Sequence, residues 1–139
     1  MWVLGGAVAV TVCWAVALSL VDEKRRRLPD LLTLPAAAGA AFGAAVTDPI
    51  LLLGGLGWAG LYLLLGVSFG GVGGGDVKLG LSLGILAPAA GGTAAWFVAV
   101  LGASVVTVLR GALTRRKAVA HGPSMLLSTA FAVGMWFGA

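Results

Sequence analysis

Charge is what this chain has least of. Asp, Glu, Lys and Arg make up only 10% of its 139 residues, where a soluble domain carries about 25%. Hydrophobic residues make up 60% and the mean hydropathy is +1.06. That balance excludes a water-soluble surface and puts the chain in a bilayer. Cys13 is the only cysteine and His121 the only histidine. A disulfide framework and a thiolate metal cluster are thereby excluded, and too few ligands remain for a protein-built zinc site. No cofactor or metal is expected. The net charge of +4 has no aromatic-interleaved basic face to support nucleic-acid binding. Met1-Trp2-Val3-Leu4-Gly5 lacks a positive flank, so the start reads as a first transmembrane helix and not as a cleaved signal.

What is present is a series of apolar runs. Trp2 to Val21 is long enough to cross a hydrocarbon core of about 30 Å. It stops at Asp22-Glu23-Lys24-Arg25-Arg26-Arg27-Leu28-Pro29. Asp30 is a suitable cap for the next helix, an Ala- and Gly-rich run to about Val46 with Pro35 in its first turns. Thr47-Asp48-Pro49 reads as a turn, and Ile50 to about Phe69 as a third span. A shorter run from Val77 to about Ala87 ends at Pro88-Ala89-Ala90-Gly91-Gly92, a break or turn. Thr93 to Leu109 and Ser124 to the end are the last two spans, joined by a basic loop through Arg115 and His121. The expected architecture is all-α, a single polytopic membrane domain over 1–139 with about six transmembrane helices.

Charge tests that parsing. With six spans, Lys24, Arg25, Arg26, Arg27, Lys78, Arg110, Arg115, Arg116 and Lys117 all fall on one side. By the positive-inside rule that side is the cytoplasm and both termini lie outside. The tryptophans, Trp2, Trp58 and Trp136 among them, read as interfacial anchors, and the three methionines as packing. The Arg25–Arg27 run suits anionic lipid, at about 1 kcal/mol per basic residue near the surface.

The segment Gly70-Gly71-Val72-Gly73-Gly74-Gly75-Asp76-Val77-Lys78-Leu79 organises the rest. A carboxylate at mid-depth in a membrane costs about 2.5–3.5 kcal/mol on insertion scales, so Asp76 is a functional candidate. Gly75-Asp76-Val77 is not the Gly-Lys-Ser/Thr of a P-loop, and no strand–GxGxxG–helix unit is present. An acid that does chemistry usually has a partner. The other acids are Asp22, Glu23, Asp30 and Asp48. Asp48 falls on the outer side, whereas Asp22 shares the side and approximate depth of Asp76. Two such carboxyls can share one proton, one taking a proton from water while the other polarises a carbonyl.

Other readings stand beside this one. Asp22 could open a solvated loop paired with Lys24 or Arg26, Asp76 could be a helix N-cap, and Lys78 could snorkel. Glu23 and Asp30 are equally near the mouth. A serine–histidine protease from Ser104 and His121 fits poorly, with Ser104 mid-span and His121 a polar loop residue beside Gly122-Pro123. The competing class is a small transporter, or a pilus or secretion assembly subunit, using Asp22 and Asp76 for proton or ion coupling. It would place acids at mid-depth on helices related by an internal repeat, and no repeat is apparent.

Three separated segments resemble one family, the type IV prepilin peptidases, membrane aspartic proteases of the GxGD kind. Asp22 is followed by Leu28-Pro29-Asp30 and by Leu32-Thr33-Leu34-Pro35, Gly73-Gly74-Gly75-Asp76-Val77-Lys78-Leu79 matches GxGDxKL, and Gly122-Pro123 is similar to the opening of the family's last helix. The resemblance implies that Asp22 and Asp76 are the catalytic pair, with Gly73, Gly75, Lys78, Pro29, Gly122 and Pro123 in support. It also implies a prepilin or pseudopilin substrate, cut at the cytoplasmic face after a short basic leader, and work alongside pilus or secretion machinery. Longer relatives carry an N-terminal cysteine-rich loop and methylate the new N-terminus. This chain, starting at the span that bears Asp22, looks like the peptidase-only form.

Overall fold

The computed structural model describes residues 2–25, 28–70, 73–115 and 119–137. Arg26, Arg27, Gly71, Val72, Arg116 and Lys117 lie outside the described residues, as does the side chain of Trp2. The described chain is all helix: α1 Trp2–Arg25, α2 Asp30–Thr47, α3 Leu51–Phe69, α4 Gly74–Thr114 and α5 Gly122–Phe137. Three of these, α2, α3 and α4, are long and apolar enough to cross a membrane, and α5 is a shorter apolar helix.

Two boundaries differ from expectation in ways that matter for the site. The first helix does not stop where its apolar run stops; it continues one turn, through Arg25. Nothing in Asp22-Glu23-Lys24-Arg25 forbids helix, and Pro29 is too far on to break it. Asp22 therefore projects from a rigid helix. The segment after Asp76 is the second case. Helical geometry persists through Pro88 and gives way only at Gly91 (φ −145°, ψ 23°) and Gly92 (φ 67°, ψ −156°). The positive φ of Gly92 is one that a side chain rarely adopts, so the glycine pair, not the proline, makes the break.

The central element is α4, which packs against α5, α3 and α2, while α1 packs against α5. Its contact with α3 is backbone on backbone. A Cβ at Gly84 would stand 2.5 Å from the Gly54 carbonyl oxygen and 2.9 Å from the Gly55 Cα. Such approach of small residues is how helices gain packing contacts in lipid, where no hydrophobic force separates one apolar surface from another. The buried cluster runs through Leu18, Trp58, Tyr62, Leu79, Leu83, Met125 and Leu126. Outside it the molecule is apolar too, with Leu31, Phe69 and Leu113 more than four-fifths exposed. A soluble protein rarely leaves such surface uncovered; a lipid-facing one does.

Trp58 departs from the anchor reading. Trp58 is fully buried and meets Tyr62 edge-on, with ring centroids 6.1 Å apart. Trp14 and Trp96 donate from Nε1 to the carbonyls of Leu32 (2.9 Å) and Gly54 (2.8 Å), tying helices together. Trp136 lies against Gly91, filling the space a Cβ would need.

Candidate active site

Four acids lie around one end of the bundle, and the structure sorts them into two pairs by partner. Glu23 forms an ion pair with Arg110 of α4, and Asp30 with Lys78 at 2.5 Å. Asp22 and Asp76 have no ion pair among the described residues. Asp22 is 4% exposed, so it is not the opening of a solvated loop. Its Oδ2 accepts a hydrogen bond from the Gly122 backbone N–H at 2.9 Å, across 100 residues of chain. Asp76 is half-buried in the first turn of α4, with Gly73 as the N-cap, so Asp76 is not itself the cap. The charges of Asp22 and Asp76 act on one another.

The glycines owe their identity to this meeting. A Cβ on Gly75 would stand 2.5 Å from the Leu28 Cβ and 3.1 Å from its carbonyl oxygen. The glycine before Asp76 thus lets α4 begin directly against the Leu28-Pro29 segment that follows α1. A Cβ on Gly122 would run into Asp22 Oδ2 and come within 3.1 Å of Leu28 Cδ2. Gly73 is less constrained; a Cβ there would come no nearer than 3.9 Å to Asp76 Oδ2.

The expected supports fall into place unevenly. Pro29 is the N-cap residue of α2, its carbonyl accepting from Leu32 N (3.0 Å) and Thr33 N (3.1 Å). Asp30, expected as that cap, stands one position inside, and no side-chain cap bond is made. A carboxylate in a first helical turn still meets the positive end of the helix dipole, and Lys78 draws Asp30 to itself. Lys78 does not merely snorkel, because it joins α4 to α2. Pro123 is buried in the first turn of α5, where its missing N–H costs no helical bond.

Four residues enter the site that the sequence did not point to: Tyr62, Thr107, Arg110 and Glu23 in its pairing role. Arg110 donates to the Ala120 carbonyl (2.9 Å) and the Ser124 hydroxyl (3.2 Å) while pairing with Glu23. It thereby holds α1, α4 and the start of α5 together. His121 lies in the connection just before Gly122-Pro123, as expected, but is half-buried there between two hydroxyls, Tyr62 on Nε2 (2.5 Å) and Thr107 on Nδ1 (2.6 Å). Burial, and then the Arg110 guanidinium, push its pKa down, so the imidazole is neutral. Tyr62 also feels the Asp76 charge. No such signal is carried by spacing, since these residues come from α1, α3, α4 and the α4–α5 connection.

Among the described residues no group of three or more His, Cys, Asp or Glu could hold a metal. The arrangement offers two carboxyls whose charges act on one another, a backbone donor to Asp22 and a set of polar side chains around His121 and Arg110. A family model, that of the type IV leader peptidase family, matches residues 9–113. Searches of curated proteins and of solved structures found no match.

Proposed function

The chain belongs to the type IV leader peptidase family, and on that premise we propose that it is a membrane aspartic endopeptidase using Asp22 and Asp76. Two carboxyls whose charges act on one another can share a proton. The ionised member takes a proton from water as the water attacks the scissile carbonyl. The protonated member donates toward the carbonyl oxygen, and a proton passes to the leaving amine as the C–N bond breaks. No covalent intermediate is needed. The observation that supports this pair above the other acids is the neutralisation of Glu23 by Arg110 and of Asp30 by Lys78.

The substrate we assign is a prepilin-like chain, cut behind a short basic leader and ahead of an apolar helix, at the cytoplasmic face of the cell membrane. The topology behind that assignment has six crossings, with the break at Gly91–Gly92 dividing α4 into two of them. The segments connecting the helices at the site end are short, 26–29, 70–73 and 115–121. They offer little from which to build a pocket with convergent polar groups for a methyl donor, so the product we expect is an unmethylated amine.

The test is cleavage of a prepilin by purified, reconstituted protein, followed by mass spectrometry of the new N-terminus. Asp22→Asn and Asp76→Asn should each abolish cleavage, because an amide neither takes water's proton nor shares one. Glu23→Gln and Asp30→Asn should keep most activity. An Asp22→Asn protein that cuts like the parent would end the paired-carboxyl reading, whatever Asp76 does.

A further inference from the structure

The hydrogen bonds around His121 fix where its proton sits. Thr107 Oγ1 is 2.9 Å from the Ala103 carbonyl one turn earlier, to which only the hydroxyl hydrogen can donate. That hydrogen is therefore not available to His121, and Thr107 Oγ1 must accept from Nδ1–H at 2.6 Å. A neutral imidazole with its proton on Nδ1 has a lone pair on Nε2. Tyr62, 2.5 Å away, then donates its hydroxyl to that nitrogen. The chain of donors runs in one direction: Tyr62 hydroxyl to His121, His121 to Thr107, Thr107 to the Ala103 carbonyl.

The residue after His121 is Gly122, whose N–H is the donor to Asp22 Oδ2. Its other neighbour, Ala120, is held through its carbonyl by Arg110. The peptide bearing the Gly122 amide is thus fixed from α3 through Tyr62, and from α4 through Thr107 and Arg110. Of the charged and titratable groups, Tyr62 on α3 bonds the imidazole and the Arg110 charge on α4 acts on it; beyond them Asp76 acts on Tyr62, Glu23 pairs with Arg110, and Asp22 accepts from the Gly122 N–H. Protonating the ring would turn Nε2 into a second donor, leaving the Tyr62 hydroxyl to reverse.

We propose that His121 is a positioning residue: clamped in its Nδ1–H form by Tyr62 and Thr107, it aims the Gly122 N–H at Asp22 and so holds that carboxyl in register with Asp76. The proposal rests on the aspartic peptidase reading. His121 touches no reacting atom; it acts through the backbone. A misplacement of about 1 Å in such a group lowers a rate by up to on the order of 100-fold.

Because the chain has one histidine, ring-15N-histidine labelling reports His121 alone. The reconstituted protein at neutral pH should give the signature of a neutral ring protonated on Nδ1, and Tyr62→Phe should shift the Nε2 resonance. In the cleavage assay His121→Ala should lower kcat at least about tenfold with KM little changed. His121→Gln, which keeps one donor and one acceptor, should restore part of it, and Thr107→Val should resemble His121→Ala with less risk to folding. An Nε2–H or doubly protonated ring would overturn the proposal. So would full activity in His121→Ala, or equal loss in the alanine and glutamine variants when both are as well folded as the parent. If the parent protein itself cuts no leader, it is the peptidase reading that fails. If the parent cuts and His121→Ala cuts equally well, only the positioning role fails.

Discussion

At the scale of the residue, the site depends on atoms that are missing as much as on those present. Gly122 has no Cβ, and the space is taken by the carboxyl of Asp22 and the edge of Leu28. Gly122→Ala should therefore displace the carboxylate rather than unfold the chain, since one side chain can rotate away while α5 stays seated. The expected outcome is a fall of at least about tenfold in kcat with an unchanged melting profile in detergent. A comparable fall in melting temperature would mean that the position serves packing instead. Sequence reasoning reached Asp22, Asp76 and Gly122 because each belongs to a motif with its own spacing. It could not reach Tyr62 or Thr107. Each is a lone polar residue within an apolar run, and nothing local says which hydroxyl will meet a ring from a loop dozens of residues away.

At the scale of the element, glycine decides how near α3 and α4 can come. The backbones meet at Gly54 and Gly84 with no room for a side chain between them. Gly84→Val would force the helices apart against backbone atoms that cannot rotate out of the way. Overpacking of this kind costs about 1–3 kcal/mol, which thermal or denaturant unfolding in micelles should register. Gly60→Ala, on the same α3 but with nothing within 4 Å of its missing Cβ, should be neutral or slightly stabilising, as an alanine in a helix interior is favoured by up to about 1 kcal/mol. If the two variants unfold alike, close packing at the crossing is not what holds these helices. The helices themselves were legible in the apolar runs, and so was the turn at Asp48. Their ends were less so: α1 outruns its apolar stretch by a turn because a charged run can still be helical, and α4 passes through Pro88 to break only where Gly92 takes a positive φ.

At the scale of the whole molecule, the distribution of basic residues and the placement of the acids agree. Single cysteines introduced at Thr114 and Asp48, on a Cys13→Ser background, should label from opposite sides of the membrane. Thr114 should react only with reagent on the cytoplasmic side and Asp48 only with reagent outside. Labelling of both from one side would undo the six-crossing topology, and with it the cytoplasmic location proposed for the site. Composition alone makes the membrane setting plain, since so little charge has to be accommodated. What composition could not supply was the sorting of the four acids. That sorting depends on Arg110 reaching Glu23 across the bundle and on Lys78 reaching Asp30, contacts that exist only once the helices have assembled.

The bond between Asp22 and Gly122 spans 100 residues, and this sets an order of events during biosynthesis. The helix bearing Asp22 is made 100 residues ahead of its amide donor. At roughly 5–20 residues per second, the carboxyl waits about 5–20 s at the membrane before its partner leaves the ribosome. For most of that interval neither Arg110 nor the ring of His121 has been made, and Arg110, once made, still lacks Ser124. A nascent chain arrested short of Gly122 would thus present both aspartates yet cut nothing, so that peptidase activity, on the present reading, is withheld until the chain has been made past Gly122.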